Sequence, residues 1–273
     1  MTELSGRELA TQILDELKKE ALPSKYLALV VVGEDPQTAS FIKQKEKTAE
    51  LLGVDVRRYG FAETISQDDL RHEVGEIAAH STCGGVVVQL PLPAHVNYHY
   101  VMNAIPREKD IDVLGERALG AFYAGRNPVM PPAVETVKAI LESLKVDVRN
   151  AKVAIVGVGP LVGKPSALWA SMYAQEVAIF RSTTINLEEK LSRYDVIVSG
   201  AGTPHLFSAE HILPGAIIID FGYGEKDGRL SGDFNPEGHD ETPGVFTPTP
   251  GGTGPILVAK LLGNFYILSN NER

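Results

Sequence analysis

The sequence alternates short apolar runs with longer segments that have the periodicity of helices. Residues 27–32 form a continuous apolar run that ends at Gly33, and the segments 85–89 and 152–156 contain shorter apolar runs. Runs of this length and uniformity are typical of strands that are buried on both faces. Strands that alternate with helices predict parallel sheets, so the sequence indicates an α/β fold.

The length of the chain favours two lobes. A chain of 273 residues is large for a single hydrophobic core. Each half contains its own series of predicted elements. In the first half we predict helices at 5–20, from about 38 to 52 and at 66–80, and strands at 27–32, 54–61 and 85–89. In the second half we predict helices at 131–144, after the loop 157–165 and at 256–269, and strands at 152–156, 176–180, 195–199 and 216–221.

Composition excludes several classes of protein. With 44% apolar and 22% charged residues the chain is an ordinary globular protein, and its net charge of −9 argues against nucleic acid or an anionic membrane as a partner. The longest apolar runs fall short of the ~20 residues of a membrane span, and no secretory signal precedes them. Cys83 is the only cysteine, and the seven histidines show no metal-ligand spacing. We therefore expect a cytoplasmic protein without a structural metal.

A glycine-rich loop follows the strand at 152–156. Gly157, Gly159 and Gly163 are spaced so that backbone could approach a pyrophosphate at the start of the next helix, and Lys164 and Pro165 follow directly. Pro165 stands where a Walker A motif requires Ser or Thr, which excludes that motif. A dinucleotide site and a plain strand-to-helix turn both remain open.

The end of the next strand bears on the choice of dinucleotide. NAD sites usually place a carboxylate there for the ribose hydroxyls, whereas this chain has Arg181 and Ser182. A guanidinium and a hydroxyl suit the ribose phosphate of NADP. A solvated arginine at a strand end is the alternative.

Two polar positions in the first half are candidate catalytic residues. Phe41 and Lys45 lie one helical turn apart, although Lys43, Lys45 and Lys47 together also fit a solvated charged face. Gln89 stands at the carboxyl end of a predicted parallel strand, where open α/β sheets place ligand contacts.

Five motifs, in this order, resemble those of the bifunctional methylenetetrahydrofolate dehydrogenase/cyclohydrolase family, from about residue 5 to the last helix. They are the Phe41/Lys45 helix, Val-Gln-Leu-Pro-Leu-Pro at 88–93, Lys-Asp-Ile-Asp at 109–112, the loop 157–165, and Thr-Pro-Thr-Pro-Gly-Gly-Thr-Gly-Pro at 247–255.

The resemblance implies roles for these residues. Lys45 would activate water and move protons, Gln89 would pair with it, and Asp112 would bind the pterin ring of tetrahydrofolate derivatives. The resemblance also implies four substrate-binding residues. Phe41 would stack on the substrate, and Gly251, Gly252 and Pro255 would lie beside folate and nicotinamide.

The family also implies NADP as cofactor, a role in one-carbon metabolism and purine biosynthesis, and a homodimer. Its C-terminal helix returns to the first lobe. The implied domains are therefore a folate-binding catalytic domain of residues 1–128 completed by 256–273, and a Rossmann-like NADP-binding domain of residues 129–255.

The chain departs from the family pattern at several of these positions. Phe41 replaces a tyrosine, Gly159 a serine, Val113 a glycine, and Met130 a threonine. These departures leave two alternatives open: a dehydrogenase with weak or lost cyclohydrolase activity, and a non-catalytic folate- or nucleotide-binding relative. A Rossmann oxidoreductase acting on a hydroxy acid is disfavoured because it leaves Gln89 and Asp112 unexplained.

Overall fold

The computed structural model describes residues 1–33, 36–237 and 243–270. Contacts divide the chain into two compact units, which we name by their sheets. The six-stranded unit holds Met1–Thr11 and Ala133–Leu257, and the three-stranded unit holds Gln12–Pro132 and the segment from Val258 onward. The predicted domain boundaries stay predictions. The two compact units instead divide between residues 132 and 133 and between 257 and 258. Residues 1–11 belong to the six-stranded unit, where the first strand of the chain pairs with the last. Residues 271–273 of the predicted C-terminal segment lie outside the described residues.

The helices, in chain order, are α1 Gly6–Leu17, α2 Pro36–Leu51, α3 Gln67–Ala79, α4 Tyr98–Met102, α5 Glu116–Tyr123, α6 Pro132–Ser143, α7 Gly163–Tyr173, α8 Leu187–Leu191 and α9 Thr253–Asn270. The strands are β1 Thr2–Glu3, β2 Tyr26–Val32, β3 Val56–Phe61, β4 Cys83–Val88, β5 Lys152–Val156, β6 Glu176–Phe180, β7 Val196–Ser199, β8 Phe207–Ser208, β9 Ile217–Asp220, β10 Gly224–Lys226, β11 Arg229–Ser231, β12 Phe234–Asn235 and β13 Val245–Phe246. None of these described helices is both long and apolar enough to cross a membrane.

In the three-stranded unit the parallel sheet has the order β3-β2-β4. The central strand β2 is buried along nearly its whole length, and β4 along all of it, as their uninterrupted apolar sequences require. The strand order reverses between β2 and β4, and ligands of open α/β sheets bind outside the carboxyl ends of strands at such a point. Gln89 lies there, where its backbone N–H donates to the Val30 carbonyl at 2.9 Å.

In the six-stranded unit the parallel sheet has the order β1-β13-β9-β7-β5-β6. When β5, β6, β7, β9 and β13 are numbered 1 to 5, their order in the sheet is the flavodoxin-like 2-1-3-4-5. The strand order reverses between β5 and β7. The predicted α/β class with two lobes of parallel sheet is thus confirmed. The predicted loop 157–165 is wrong at its end, because α7 already begins at Gly163.

Candidate active site

The side chains of Lys45 and Gln89 meet in the three-stranded unit. Lys45, on α2, donates from Nζ to Oε1 of Gln89 at 3.0 Å. The Gln89 amide is held in turn, because its Nε2 donates to the Leu90 carbonyl at 2.7 Å. Both side chains are half-buried, whereas Lys43 and Lys47 on the same helix are exposed. Lys45 is therefore the member of the lysine stretch that faces inward.

Burial sets the electrostatics of Lys45. Loss of solvation lowers the pKa of Lys45, and the nearby carboxylate of Asp112 opposes that shift. Burial raises the pKa of Asp112, and the charge of Lys45 acts in the other direction. A lysine whose pKa is lowered by desolvation can act as a general base near neutral pH.

A tight turn presents Asp112. The buried carboxylate of Asp110 accepts the backbone N–H groups of Leu114 at 3.0 Å and Gly115 at 2.8 Å, which closes the chain into a loop around Asp112. Val113 has φ +57°, a left-handed conformation in which a β-branched residue is a genuine outlier. Glycine adopts this conformation without strain, so Val113 keeps the turn geometry that glycine would favour.

Burial raises the pKa of Asp110 to about 6, and the backbone N–H groups that it accepts oppose the shift. These N–H groups favour the ionised form of the carboxyl that anchors the turn. An ionised carboxylate makes stronger hydrogen bonds to backbone N–H groups than a neutral one.

Sequence reasoning missed Asn264, which holds the same turn. Its Nδ2 donates at 2.8 Å to the carbonyl of Ile111 and at 2.8 Å to that of Met130. Asn264 is buried on α9, a helix that is otherwise mostly apolar. A lone amide at a core position of an apolar helix is the signal that could have identified it, since buried amides are almost always paired.

Phe41 lies one helical turn before Lys45 on α2 and is half-buried. Its position on the helix is as predicted. Its ring can stack on a planar ligand but has no hydroxyl with which to enter a hydrogen-bond network.

The glycine loop of the six-stranded unit lies at the reversal between β5 and β7. Gly157 has φ +91°, and a Cβ there would come within 2.7 Å of the Gly200 carbonyl oxygen. A Cβ on Gly163 would overlap the Gly157 carbonyl. Both positions thus need glycine, whereas a Cβ on Gly159 would meet nothing within 4 Å. The loop is closely packed at two of its three glycines, and Gly159 is the open one.

The start of α7 is suited to an anion. Val162 at its N-cap gives no side-chain hydrogen bond, and Lys164 and Pro165 lie in the first turn. Pro165 has no N–H, and the Lys164 N–H donates to the Gly159 carbonyl at 3.0 Å, so the N–H of Gly163 and the ammonium group of Lys164 are the features of this turn that favour an anion. Together with the glycine cradle, this fits the pyrophosphate of a dinucleotide.

Arg181 and Ser182 follow β6 directly, and both are exposed. The Arg181 backbone N–H donates to Oγ1 of Thr184 at 2.9 Å, which turns the chain at the end of the strand. Among the described residues no carboxylate pairs with the Arg181 guanidinium, so it is available to a ligand phosphate.

The second predicted binding segment is a constrained turn at the start of α9. Gly251 has φ +103°, and a Cβ on Gly252 would come within 2.5 Å of the Pro248 carbonyl oxygen. The helix begins at Thr253, three residues earlier than predicted, which places Pro255 in its first turn. Oγ1 of Thr253 donates to the Asp220 carbonyl at 2.9 Å.

Two buried carboxylates behind this turn also escaped sequence reasoning. Asp233 accepts from Oγ of Ser199 at 2.6 Å and from the backbone N–H groups of Ala201 and Thr203, both at 2.7 Å. Asp220 accepts from the backbone of Phe234 at 2.8 Å, and burial raises its pKa to about 7. These groups fix the loops that follow β7 and β9.

Comparison with protein families gives two matches. Residues 4–112 match the model of the tetrahydrofolate dehydrogenase/cyclohydrolase catalytic domain. Residues 131–273 match the model of the tetrahydrofolate dehydrogenase/cyclohydrolase NAD(P)-binding domain. The two matches together cover most of the chain.

Individual relatives agree with these matches. The chain is 33% identical over 268 residues to the bifunctional protein FolD of Geobacillus thermodenitrificans, covering 96% of this chain and 94% of the relative. The bifunctional dehydrogenase/cyclohydrolase FolD of Campylobacter jejuni is a similar solved structure, with a TM-score of 0.93, 28% identity and 99% of each chain covered. FolD of Trypanosoma brucei, solved with NADP and an inhibitor, has a TM-score of 0.91 at 28% identity, with 98% of this chain and 97% of that chain covered.

Proposed function

Since the chain belongs to the tetrahydrofolate dehydrogenase/cyclohydrolase family, we propose that it oxidises methylenetetrahydrofolate to methenyltetrahydrofolate with NADP and hydrolyses the product to formyltetrahydrofolate. The enzyme is an oxidoreductase and a hydrolase of one-carbon metabolism. The observation that carries the proposal is the 3.0 Å contact between Lys45 and Gln89 close to the carboxylate of Asp112.

In the oxidation, bound NADP supplies the hydride acceptor. We assign its pyrophosphate to the loop of Gly157, Gly159 and Gly163 and the first turn of α7, because this loop joins a parallel strand to a helix start at the reversal of the sheet, where dinucleotides bind. Arg181 and Ser182 are assigned to the ribose phosphate. We also propose that the turn of Gly251, Gly252 and Pro255 contacts the folate substrate.

In the hydrolysis, water adds to the methenyl carbon and loses a proton, and one of the two carbon–nitrogen bonds at that carbon then breaks, with a proton passing from the added hydroxyl to the departing nitrogen, to give the formyl product. Lys45 in its neutral form can accept the proton that the water loses, and Gln89 fixes the direction of the amine. The carboxylate of Asp112 is suited to the adjacent N–H donors of a pterin ring, which would place the reacting carbon beside Lys45.

The overall proposal has a direct test. Methylenetetrahydrofolate is supplied with NADP or with NAD, and cofactor reduction is followed together with the appearance of methenyl and formyl products. We expect reduction of NADP and release of the formyl product. Absence of cofactor reduction with either dinucleotide would favour a binding protein, and accumulation of the methenyl product would favour a dehydrogenase with weak cyclohydrolase activity.

Arg181→Ala tests the choice of cofactor. We expect NADP affinity to fall by at least about tenfold, because a charge-assisted hydrogen bond contributes ~1.5–3 kcal/mol, whereas NAD affinity should change little. Titration of both cofactors by fluorescence or calorimetry measures this. Arg229→Ala, at an exposed position on β11 of the same unit, is the control. Equal losses for NADP and NAD would contradict the assignment.

Phe41→Tyr tests the balance of the two activities. If the ring stacks on the substrate, restoring the hydroxyl should leave folate affinity nearly unchanged and raise cyclohydrolase turnover by up to about tenfold, because one neutral hydrogen bond contributes at most ~1.5 kcal/mol. Phe41→Ala should instead weaken folate binding. An inert Phe41→Tyr variant in an enzyme that already hydrolyses methenyltetrahydrofolate rapidly would remove the weak-cyclohydrolase alternative.

We further propose that the enzyme works in the cytoplasm, contributes to purine biosynthesis and forms a homodimer. An exposed sheet edge supports the dimer: β6 pairs on one side with β5, within the described residues, and its Ile179 is half exposed. Edge strands are ready sites of pairing with a second chain. Light scattering that gives the mass of a single 29.5 kDa chain would contradict the dimer.

A further inference from the structure

A cationic pocket lies in the three-stranded unit, beside α5 and the 3₁₀ turn Arg107–Lys109. Its volume is about 670 Å³, within the range of small-molecule sites. Three arginines, Arg107, Arg117 and Arg126, line it together with one acidic residue, Glu108, and all four are exposed. The lining side chains thus carry a net charge of +2 in a protein whose net charge is −9.

No salt bridge within the described residues accounts for the grouping of these arginines. In the part of the chain that the structure describes, no carboxylate lies within salt-bridge distance of any of the three. Positive charges that lie close together without a counterion repel one another. An anion would relieve that repulsion, and arginine is well suited to bind one, because its guanidinium can donate two parallel hydrogen bonds to a phosphate or carboxylate.

Local structure fixes the backbone that carries the three exposed arginines. Arg126 follows the end of α5, where a Schellman motif turns the chain back: its N–H donates to the Ala121 carbonyl at 2.8 Å, and the N–H of Gly125, at φ +64°, donates to the Phe122 carbonyl at 3.0 Å. Arg117 lies on the same helix, three and four residues before Gly120 and Ala121, and therefore on the same face.

Arg107 is held from the other side of the pocket. Lys109, two residues later, donates from Nζ to the carbonyls of Ala78 at 2.6 Å and His80 at 3.0 Å. Asp110 then binds the backbone of Gly115 at the start of α5, which joins the 3₁₀ turn to that helix.

The pocket is separate from the catalytic groups. Its lining contains none of the residues assigned above to the folate site, Phe41, Lys45, Gln89 and Asp112. Asp110, which binds the turn of Asp112, is bridged to Val86 of β4, whereas Arg107 lies three residues earlier, in the 3₁₀ turn.

We propose that this pocket binds a small polyanion, with phosphate or carboxylate groups held by Arg107, Arg117 and Arg126. Gly120 lines the pocket, and a Cβ at that exposed position would meet nothing within 4 Å. A larger side chain at Gly120 should therefore fill the pocket without displacing the protein around it.

The test is calorimetric titration of the full chain, saturated with NADP so that the cofactor loop is occupied, at constant ionic strength. Pyrophosphate and citrate are the probes for the phosphate and carboxylate sources. We expect saturable binding of at least one probe at one site per chain. Arg117→Gln should weaken it at least tenfold and Gly120→Leu should abolish it, with dehydrogenase activity unchanged and no loss of thermal stability, since leucine favours helix more than glycine does.

Two control variants sharpen the result. Gly120→Ala adds only a methyl group and should stay within about threefold of wild type, and Arg58→Gln, at an exposed position on β3, should have no effect. Binding of pyrophosphate alone or citrate alone would support the site and identify the anionic group. The proposal is overturned if neither probe saturates, or if Gly120→Leu and Arg117→Gln bind as wild type does.

Discussion

Lys45→Met is expected to reduce hydrolysis of methenyltetrahydrofolate by at least about a hundredfold, the usual effect of losing a positioned acid/base group. Methionine keeps most of the apolar stem and removes the amine that donates to Gln89 at 3.0 Å. Folate binding should therefore largely survive. Steady-state hydrolysis, followed through the loss of methenyl absorbance, and a separate folate titration measure the two effects.

The same helix provides matched controls. Lys43→Met and Lys47→Met make the identical change two residues to either side, at exposed positions. Both variants should hydrolyse at the wild-type rate. If Lys45→Met also hydrolyses at the wild-type rate, its catalytic assignment is wrong and the contact with Gln89 is structural.

The pH dependence of hydrolysis provides a second measurement of Lys45. Because desolvation lowers the pKa of Lys45, the fraction of neutral amine rises with pH through a range below that of an ordinary lysine. Turnover should rise over that range in wild type, and this limb should be absent from Lys45→Met. Removing the opposing charge with Asp112→Asn should move the limb to still lower pH, since Asp112 raises the pKa of Lys45.

The parts of the site that the sequence predicts are those tied to local rules. Gln89 could be placed because parallel strands bring ligand contacts to their carboxyl ends, and β4 ends directly before it. The glycines around β5 could be placed because a strand, a tight turn and a helix succeed one another there. The contact between Lys45 and Gln89 joins residues 44 positions apart, and only the family resemblance suggested it.

The parts that the sequence did not predict depend on contacts between distant segments. Asn264 binds the carbonyl of Ile111, 153 residues earlier, and no pattern within α9 identifies that partner. Asp110 anchors the turn and Asp112 is presented by it, but both are aspartates, so residue type alone does not distinguish the two roles. Helices α4 and α8 have five residues each, too short for a helical period to be recognised.

Gly163→Ala is expected to weaken NADP binding by about tenfold to a hundredfold. Alanine favours helix at this first position of α7, but its Cβ would overlap the Gly157 carbonyl, so the loop and the helix start must move apart. Backbone shifts of this kind typically cost ~1–3 kcal/mol, and ~1.4 kcal/mol corresponds to a tenfold change in affinity. Calorimetric titration with NADP measures the loss, and circular dichroism establishes that the variant is folded.

Gly159→Ala, in the same loop, separates steric exclusion from a general need for glycine. A Cβ at Gly159 meets nothing within 4 Å, so this variant should bind NADP within about threefold of wild type. Gly159→Ser should bind at least as well, since its hydroxyl adds a hydrogen-bond donor where the loop faces open space. If Gly163→Ala and Gly159→Ala lose affinity equally, flexibility of the loop rather than the close approach of Gly163 to Gly157 governs cofactor binding. If Gly163→Ala binds NADP as wild type does, the pyrophosphate does not lie on this loop, and the assignment of the cofactor to α7 must be given up.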